Sequence, residues 1–167
     1  MNHMEVAHSS AREVASSCLR ARNNEAAATL QLRIMLWTGK LSQIMNVPPV
    51  ERHVFEYRIP GVGIADLVVF HPGGGLTLVE AKGPEDCRAV AAGIGQLFMY
   101  EAGVRRQLTR AGKPPPFVNR ILCAPVTPEE AQPAWEACQL AGVRFVHLCP
   151  LERLQAAAAQ DLQALGA

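Results

Sequence analysis

Three ionisable side chains interrupt stretches that are otherwise built for burial. Asp66 sits inside Ile64-Ala65-Asp66-Leu67-Val68-Val69-Phe70, and Glu80 and Lys82 close Leu76-Thr77-Leu78-Val79-Glu80-Ala81-Lys82. Both runs carry the β-branched and apolar residues of strands. His71-Pro72-Gly73-Gly74-Gly75 between them is turn chemistry, since Pro fixes φ and Gly tolerates positive φ. Strand side chains alternate faces, so Asp66 is expected on the face of Ile64, Val68 and Phe70. Glu80 and Lys82 are expected with Leu76 and Leu78. Unpaired charge in such strands costs several kcal/mol, and a bound divalent cation would offset it. Two carboxylates on adjacent strands make a hard oxygen site, suited to Mg²⁺ or Mn²⁺ rather than zinc. Lys82 points to the same place, where it would orient or help deprotonate a water and stabilise developing charge. The same residues also fit a buried carboxylate–lysine pair with no metal.

This order of residues resembles the PD-(D/E)xK nuclease superfamily, with the motif standing as Ala65-Asp66, a hairpin, and Glu80-Ala81-Lys82. Gln96-Leu97-Phe98-Met99-Tyr100 resembles the Gln-x-x-x-Tyr helix motif of the RecB-like and NucS-like branches. Arg120 to Pro125, a helix, and Gly142 to Leu148 resemble the end of the NucS catalytic domain, so the likeness runs over residues 50–150. It implies a restriction-endonuclease-like α/β core and metal-dependent hydrolysis of DNA phosphodiester bonds. By the same resemblance Asp66, Glu80 and the backbone carbonyl of Ala81 would hold Mg²⁺ or Mn²⁺. Gln96 and Tyr100 would hold substrate phosphate or order the metal-site water. The helix before the sheet often supplies a further acid in this superfamily. Glu25 is the candidate, unless it only complements its helix dipole, and Glu56 is the second. The chain departs from the pattern in lacking a Pro before Asp66 and in carrying Met99 where NucS relatives have Arg. The separate N-terminal DNA-binding domain of NucS is not expected in 167 residues, so mismatch specificity does not carry over.

With 49% hydrophobic residues, the chain is long enough to bury a core and is expected to form one domain over 1–167. That domain divides into a helical N-terminal segment (1–45), a core (50–150) and a C-terminal helix (151–167). A formal charge of +1 offers no global basic signal. A nucleic-acid surface must then come from clustering, and Arg105, Arg106, Arg110 and Lys113 are the densest group. Phosphate neutralisation and a solvated helix end explain that group equally well. No apolar stretch approaches the roughly 20 residues of a membrane span, and no signal-peptide pattern opens the chain. A cytoplasmic protein is expected. Cys18, Cys87, Cys123, Cys138 and Cys149 are widely spaced, which argues against the iron–sulfur cluster of some RecB-like relatives and for reduced, mostly buried thiols.

The flanking elements follow from punctuation. Residues 1–10 are expected to be a loose start. Residues 11–45 read as helix with a break at Asn23-Asn24, Asn24 serving as N-cap. Arg52 to Ile59 reads as a strand that pairs with the Asp66 strand across Pro60-Gly61-Val62-Gly63, with Arg52, Glu56 and Arg58 on one face. A helix is expected over 85–108, with an acidic start at Glu85 and Asp86 and with Gln96 and Tyr100 on one face. Then come a strand (117–124), a helix from an N-cap at Thr127 to Leu140, a strand (143–148) and a last helix. That order predicts an α/β fold, a mixed sheet flanked by helices. Two functions fit it: a metal-dependent DNA endonuclease, and a non-catalytic DNA-binding or assembly subunit that keeps the fold. The small size suits a homodimer or a chain that docks on a partner subunit.

Overall fold

The computed structural model describes residues 3–20, 23–37, 49–83, 87–114, 116–126 and 128–164. Helices α1 (His3–Arg20) and α2 (Asn24–Trp37) lead into strands β1 (Arg52–Ile59), β2 (Gly63–Phe70) and β3 (Leu76–Ala81). Helix α3 (Cys87–Arg110), strand β4 (Val118–Ala124), helix α4 (Pro128–Leu140), strand β5 (Arg144–His147) and helix α5 (Leu151–Ala164) follow. The strands form one sheet in the order β1-β2-β3-β4-β5. β1, β2 and β3 are antiparallel neighbours, and β3, β4 and β5 run parallel. This is the mixed sheet flanked by helices that the element order predicts. The parallel pairs need crossovers, and α3 and α4 supply them.

β3 is the middle strand and all six of its residues are buried. A strand covered on both faces has no solvent side to alternate toward, which is why its sequence is a continuous apolar run. On one face Val90, Leu97, Tyr100 and Val104 of α3 and Ala134 and Cys138 of α4 pack on Val68, Leu78 and Leu122. On the other face Ala28 and Leu32 of α2 pack on Leu67, Val79, Ala81 and Ile121. α1 and α5 add an outer layer through Ala15, Cys18 and Ala158. The Gln31 side chain ties α2 to the segment after β5, donating to Cys149 O at 2.7 Å and accepting from Cys149 N at 2.8 Å.

The β2–β3 turn is built as its residues suggest. His71 N donates to Gly75 O at 2.9 Å, and Gly73 and Gly74 take φ of 83° and 87°. His71 is itself buried. Its Nδ1 lies 3.0 Å from Pro49 O and its Nε2 lies 2.7 Å from Thr77 Oγ1. A carbonyl can only accept, so Nδ1 carries a proton and donates to it. The ring thereby staples the chain entering β1 to the hairpin.

Two local expectations fail. The helix begins at His3 rather than after residue 10; the stretch holds no Pro or Gly to stop it, and Glu5 and Ala7 favour helix. The cap of α2 is Asn23, not Asn24: its Oδ1 accepts from Ala26 N at 2.8 Å. The acidic start at Glu85 and Asp86, the cap at Thr127 and a helix end near residue 45 lie outside the described residues. Among the described residues no helix is long and apolar enough to cross a membrane. Cys18, Cys123 and Cys138 are buried free thiols, as the spacing suggested.

Candidate active site

The three ionisable residues meet where β3 ends in the middle of the sheet. Glu80 is only 2% exposed. Its Oε1 lies 2.6 Å from Lys82 Nζ, while Oε2 is buried with no hydrogen-bond partner among the described residues. The β2–β3 ladder stops at Leu67↔Val79. Asp66 takes over there: its Oδ2 accepts from Ala81 N at 2.6 Å, a main-chain donor that would otherwise have no ladder partner. α3 closes the site from one side. The Tyr100 hydroxyl donates to Ile64 O at 2.8 Å, and Gln96 Nε2 approaches that hydroxyl at 3.5 Å. Gln96 and Tyr100 thus share a helix face, as their spacing predicts, and that face meets the strand that carries Asp66.

The electrostatics are those of too much negative charge in too little water. Burial pushes the Glu80 carboxyl up to about 7, and the neighbouring Asp66 carboxylate adds to the shift, with Lys82 and the Asp66 main-chain N–H opposing it. Burial, Glu80 and Asp66 together push the Tyr100 phenol up to about 12, so its proton stays on. Burial, then Asp66, also pushes the Cys123 thiol far above its usual range. An orphaned carboxylate oxygen beside a second carboxylate is a donor pair that fits a hard divalent cation. Among the described residues no group of three or more His, Cys, Asp or Glu side chains converges. Other ligands would therefore have to be main-chain carbonyl or water oxygens, and Ala81 stands between Glu80 and Lys82 to offer one.

A backbone irregularity sets the direction of Asp66. Phe55 pairs with Leu67 and Tyr57 with Ala65, which puts Glu56 opposite Asp66. Glu56 has φ of 53° and is the one non-glycine residue with positive φ among those described. Left-handed backbone inside a strand reverses the alternation of faces. Phe55 and Leu67 belong to the α2 side, whereas Tyr57 and Ala65 join the α3 side. Ile64 is left 48% exposed. The expectation that Ile64 shares the buried face of Val68 is therefore corrected, because strict alternation holds only from residue 67 onward. Arg52 and Arg58 are likewise separated: Arg52 lies over Phe70 on the α3 side at 4.2 Å, while Arg58 is exposed beyond the reversal.

The remaining candidates separate. Glu56 is exposed, so its carboxylate does not join Asp66 and Glu80. The side chain of Glu25 lies outside the described residues; its helix α2 packs on the sheet face opposite α3. The basic group does not act as one patch. Arg105 Nε is bound to Glu101 Oε1 at 2.7 Å. Arg106 lies by Gly61 in the β1–β2 turn. Arg110 and Lys113 are exposed at the end of α3 and in the loop beyond. Glu101 also binds Arg120 Nη1 at 2.5 Å, and Arg120 stacks over Phe98 at 4.5 Å. This network joins α3 to β4 and was not anticipated. Glu101 at four residues from Arg105 was its one local signal.

Fold and site together define a mixed α/β domain with a buried carboxylate–lysine cluster at the end of its central strand. No family model and no curated protein matches the chain. Among solved structures it aligns with a repair endonuclease from Pyrococcus abyssi at 20% identity and a TM-score of 0.48, over 72% of this chain and 47% of that one. It also aligns with an EndoMS–double-stranded DNA complex at 22% identity and a TM-score of 0.40, over 68% of this chain and 43% of that one. The aligned part is less than half the length of either.

Two outcomes follow from this geometry. Glu80 holds its proton more tightly in the folded than in the unfolded chain. Its contribution to stability is thus full below the ordinary carboxyl value of 4.5 and is lost as pH rises through about 7. Melting temperature in a chelator should fall across that window, and Glu80→Gln should flatten the fall; an equally steep fall in the variant would contradict the assignment. At Glu56 the requirement is for backbone, not carboxylate. Glu56→Gly should match or exceed wild-type stability, whereas Glu56→Val should lose about 1–3 kcal/mol in urea titrations. Equal stability of the two variants would remove the left-handed constraint.

Proposed function

We propose that the chain is a Mg²⁺- or Mn²⁺-dependent nuclease that hydrolyses DNA phosphodiester bonds, most simply as an endonuclease. The observation that supports this best is the Glu80 Oε2 atom, buried with no hydrogen-bond partner among the described residues, beside a second carboxylate and 2 residues from a lysine that grips the other oxygen. A purely structural ion pair has no use for the orphaned oxygen, which costs about 1–3 kcal/mol or more if nothing binds it. Asp66, Glu80 and the Ala81 carbonyl would hold the cation. When bound there, it would supply Lewis-acid stabilisation of the charge that develops on phosphate.

The chain's own residues supply the rest. Glu80 Oε1 anchors Lys82 Nζ at 2.6 Å, which leaves the ammonium's other protons to orient the attacking water or a phosphate oxygen. The Ala81 N–H fixes one Asp66 oxygen, so that carboxylate loses little freedom when it takes up a ligand. Tyr100 commits its proton to Ile64 O and so pins the start of β2 against α3. Its part in this reading is to position Asp66, with Gln96 backing the hydroxyl. Of the basic group at the end of α3, Arg106, Arg110 and Lys113 would attract the DNA backbone.

The test is cleavage of labelled duplex, branched and single-stranded DNAs with Mg²⁺ or Mn²⁺. Asp66→Asn, Glu80→Gln and Lys82→Ala should each lower the rate at least about 100-fold with the fold retained. Full activity in any of them would sink that residue's role. Folded wild-type protein that cuts none of the panel would favour the non-catalytic DNA-binding or assembly subunit.

A further inference from the structure

A second feature lies at the opposite end of the sheet. A cavity of about 510 Å³ opens between the first halves of β4 and β5 and the last turns of α4. Its chemistry comes from Phe117, Asn119, Arg120, Trp135, Gln139 and Arg144. Glu80 is in register with Leu122, two residues further along β4 than Arg120, and none of Asp66, Glu80 and Lys82 lines the cavity. The two sites are therefore separate.

The lining limits what could bind. Among the described residues it contains two arginines and no acidic residue, so a cationic ligand finds no partner there. A metal ion finds no Cys, His or carboxylate. Two large rings stand open beside the cations: Phe117 is 69% exposed and Trp135 44% exposed. Rings in solvent next to guanidinium groups suit a flat ligand that carries negative charge. Arg120 is held in advance. Glu101 binds its Nη1, Phe98 lies 4.5 Å from its guanidinium carbon, and its Nη2 reaches the cavity wall at Gly142. Its Nε is buried with no acceptor among the described residues. A guanidinium fixed from one side needs no reordering to meet a ligand on the other. Asn119, whose Nδ2 also donates to Thr77 Oγ1 at 3.3 Å, and Gln139 add amides able to donate to and accept from the edge of a base.

We infer that this cavity, where Trp135 and Phe117 stand beside Arg120 and Arg144, is a nucleotide-binding site: a base on the rings, a phosphate on the arginines. The volume lies within the range of small-ligand sites. The nucleotide can come as a free mononucleotide or as one unit of a single-stranded nucleic acid, since stacking tolerates any base. The site stands apart from the carboxylate cluster and does not depend on hydrolysis there.

The experiment follows Trp135 emission in Trp37→Phe protein, which leaves one tryptophan of the two. Titrants in EDTA are deoxyadenosine monophosphate, a short oligothymidylate, deoxyadenosine and inorganic phosphate. A saturable change with the mononucleotide identifies a free nucleotide as ligand, and one with the oligonucleotide alone identifies a strand. Deoxyadenosine and phosphate should each bind at least about tenfold more weakly than the nucleotide. By calorimetry, Trp135→Ala and Arg144→Glu should each weaken binding about tenfold or more with melting temperature retained, and Trp135→Phe should restore most of it. No emission change with either nucleotide ligand, or undiminished binding in Trp135→Ala and Arg144→Glu, overturns the inference. Because EDTA removes divalent metal, that failure leaves the nuclease reading where it stood.

Discussion

Glu80 is a carboxyl buried beside another carboxyl, with one lysine between them and neutrality. Lys82 satisfies one of its oxygens and not the other. Burial and Asp66 outweigh the lysine, which is why the group rises to about 7. Much of the architecture serves to keep this arrangement dry. β3 is covered by α2 on one side and α3 on the other. α3 lies close because Gly93 has no side chain: a Cβ there would stand 2.5 Å from Leu122 and 3.2 Å from the Lys82 stem. The low dielectric that makes the bare site costly is what would make it hold a cation strongly.

The antiparallel half of the sheet carries the second constraint. Asp66 must leave the strand ladder to reach Ala81 N, and the neighbouring strand accommodates this by turning Glu56 left-handed. Such backbone costs on the order of 1–3 kcal/mol and persists only where its surroundings hold it. Here Tyr57 and Phe70, packed edge to face at 5.9 Å, and Tyr100 on Ile64 O hold both sides of the irregularity. Strain, misplaced charge and an orphaned oxygen thus fall within one stretch of two strands, while the rest of the core is conventional apolar packing.

The legible features were those with local causes. Glycines and prolines marked the hairpin and strand ends, and apolar runs marked β2, β3 and β4. Charge inside those runs marked Asp66, Glu80 and Lys82, and four-residue spacing put Gln96 and Tyr100 together. What was hidden depended on distant partners. Period-two reasoning could not foresee the reversal at Glu56, because nothing in Glu itself favours positive φ. It therefore misassigned Ile64 and Arg58. A count of nearby cations grouped Arg105 with Arg106, although Glu101 removes the former. The aromatic cavity draws on β4, α4 and β5, and no sequence window contains it.

Cation binding to the intact chain tests the account most directly. Manganese titrated calorimetrically into metal-free protein at neutral pH, with no DNA present, should reveal one site per chain that Glu80→Gln and Asp66→Asn each abolish while the fold persists. Absence of binding, or equal binding by wild type and Glu80→Gln, would mean that the orphaned oxygen is not a metal ligand and that the cluster is a structural ion pair.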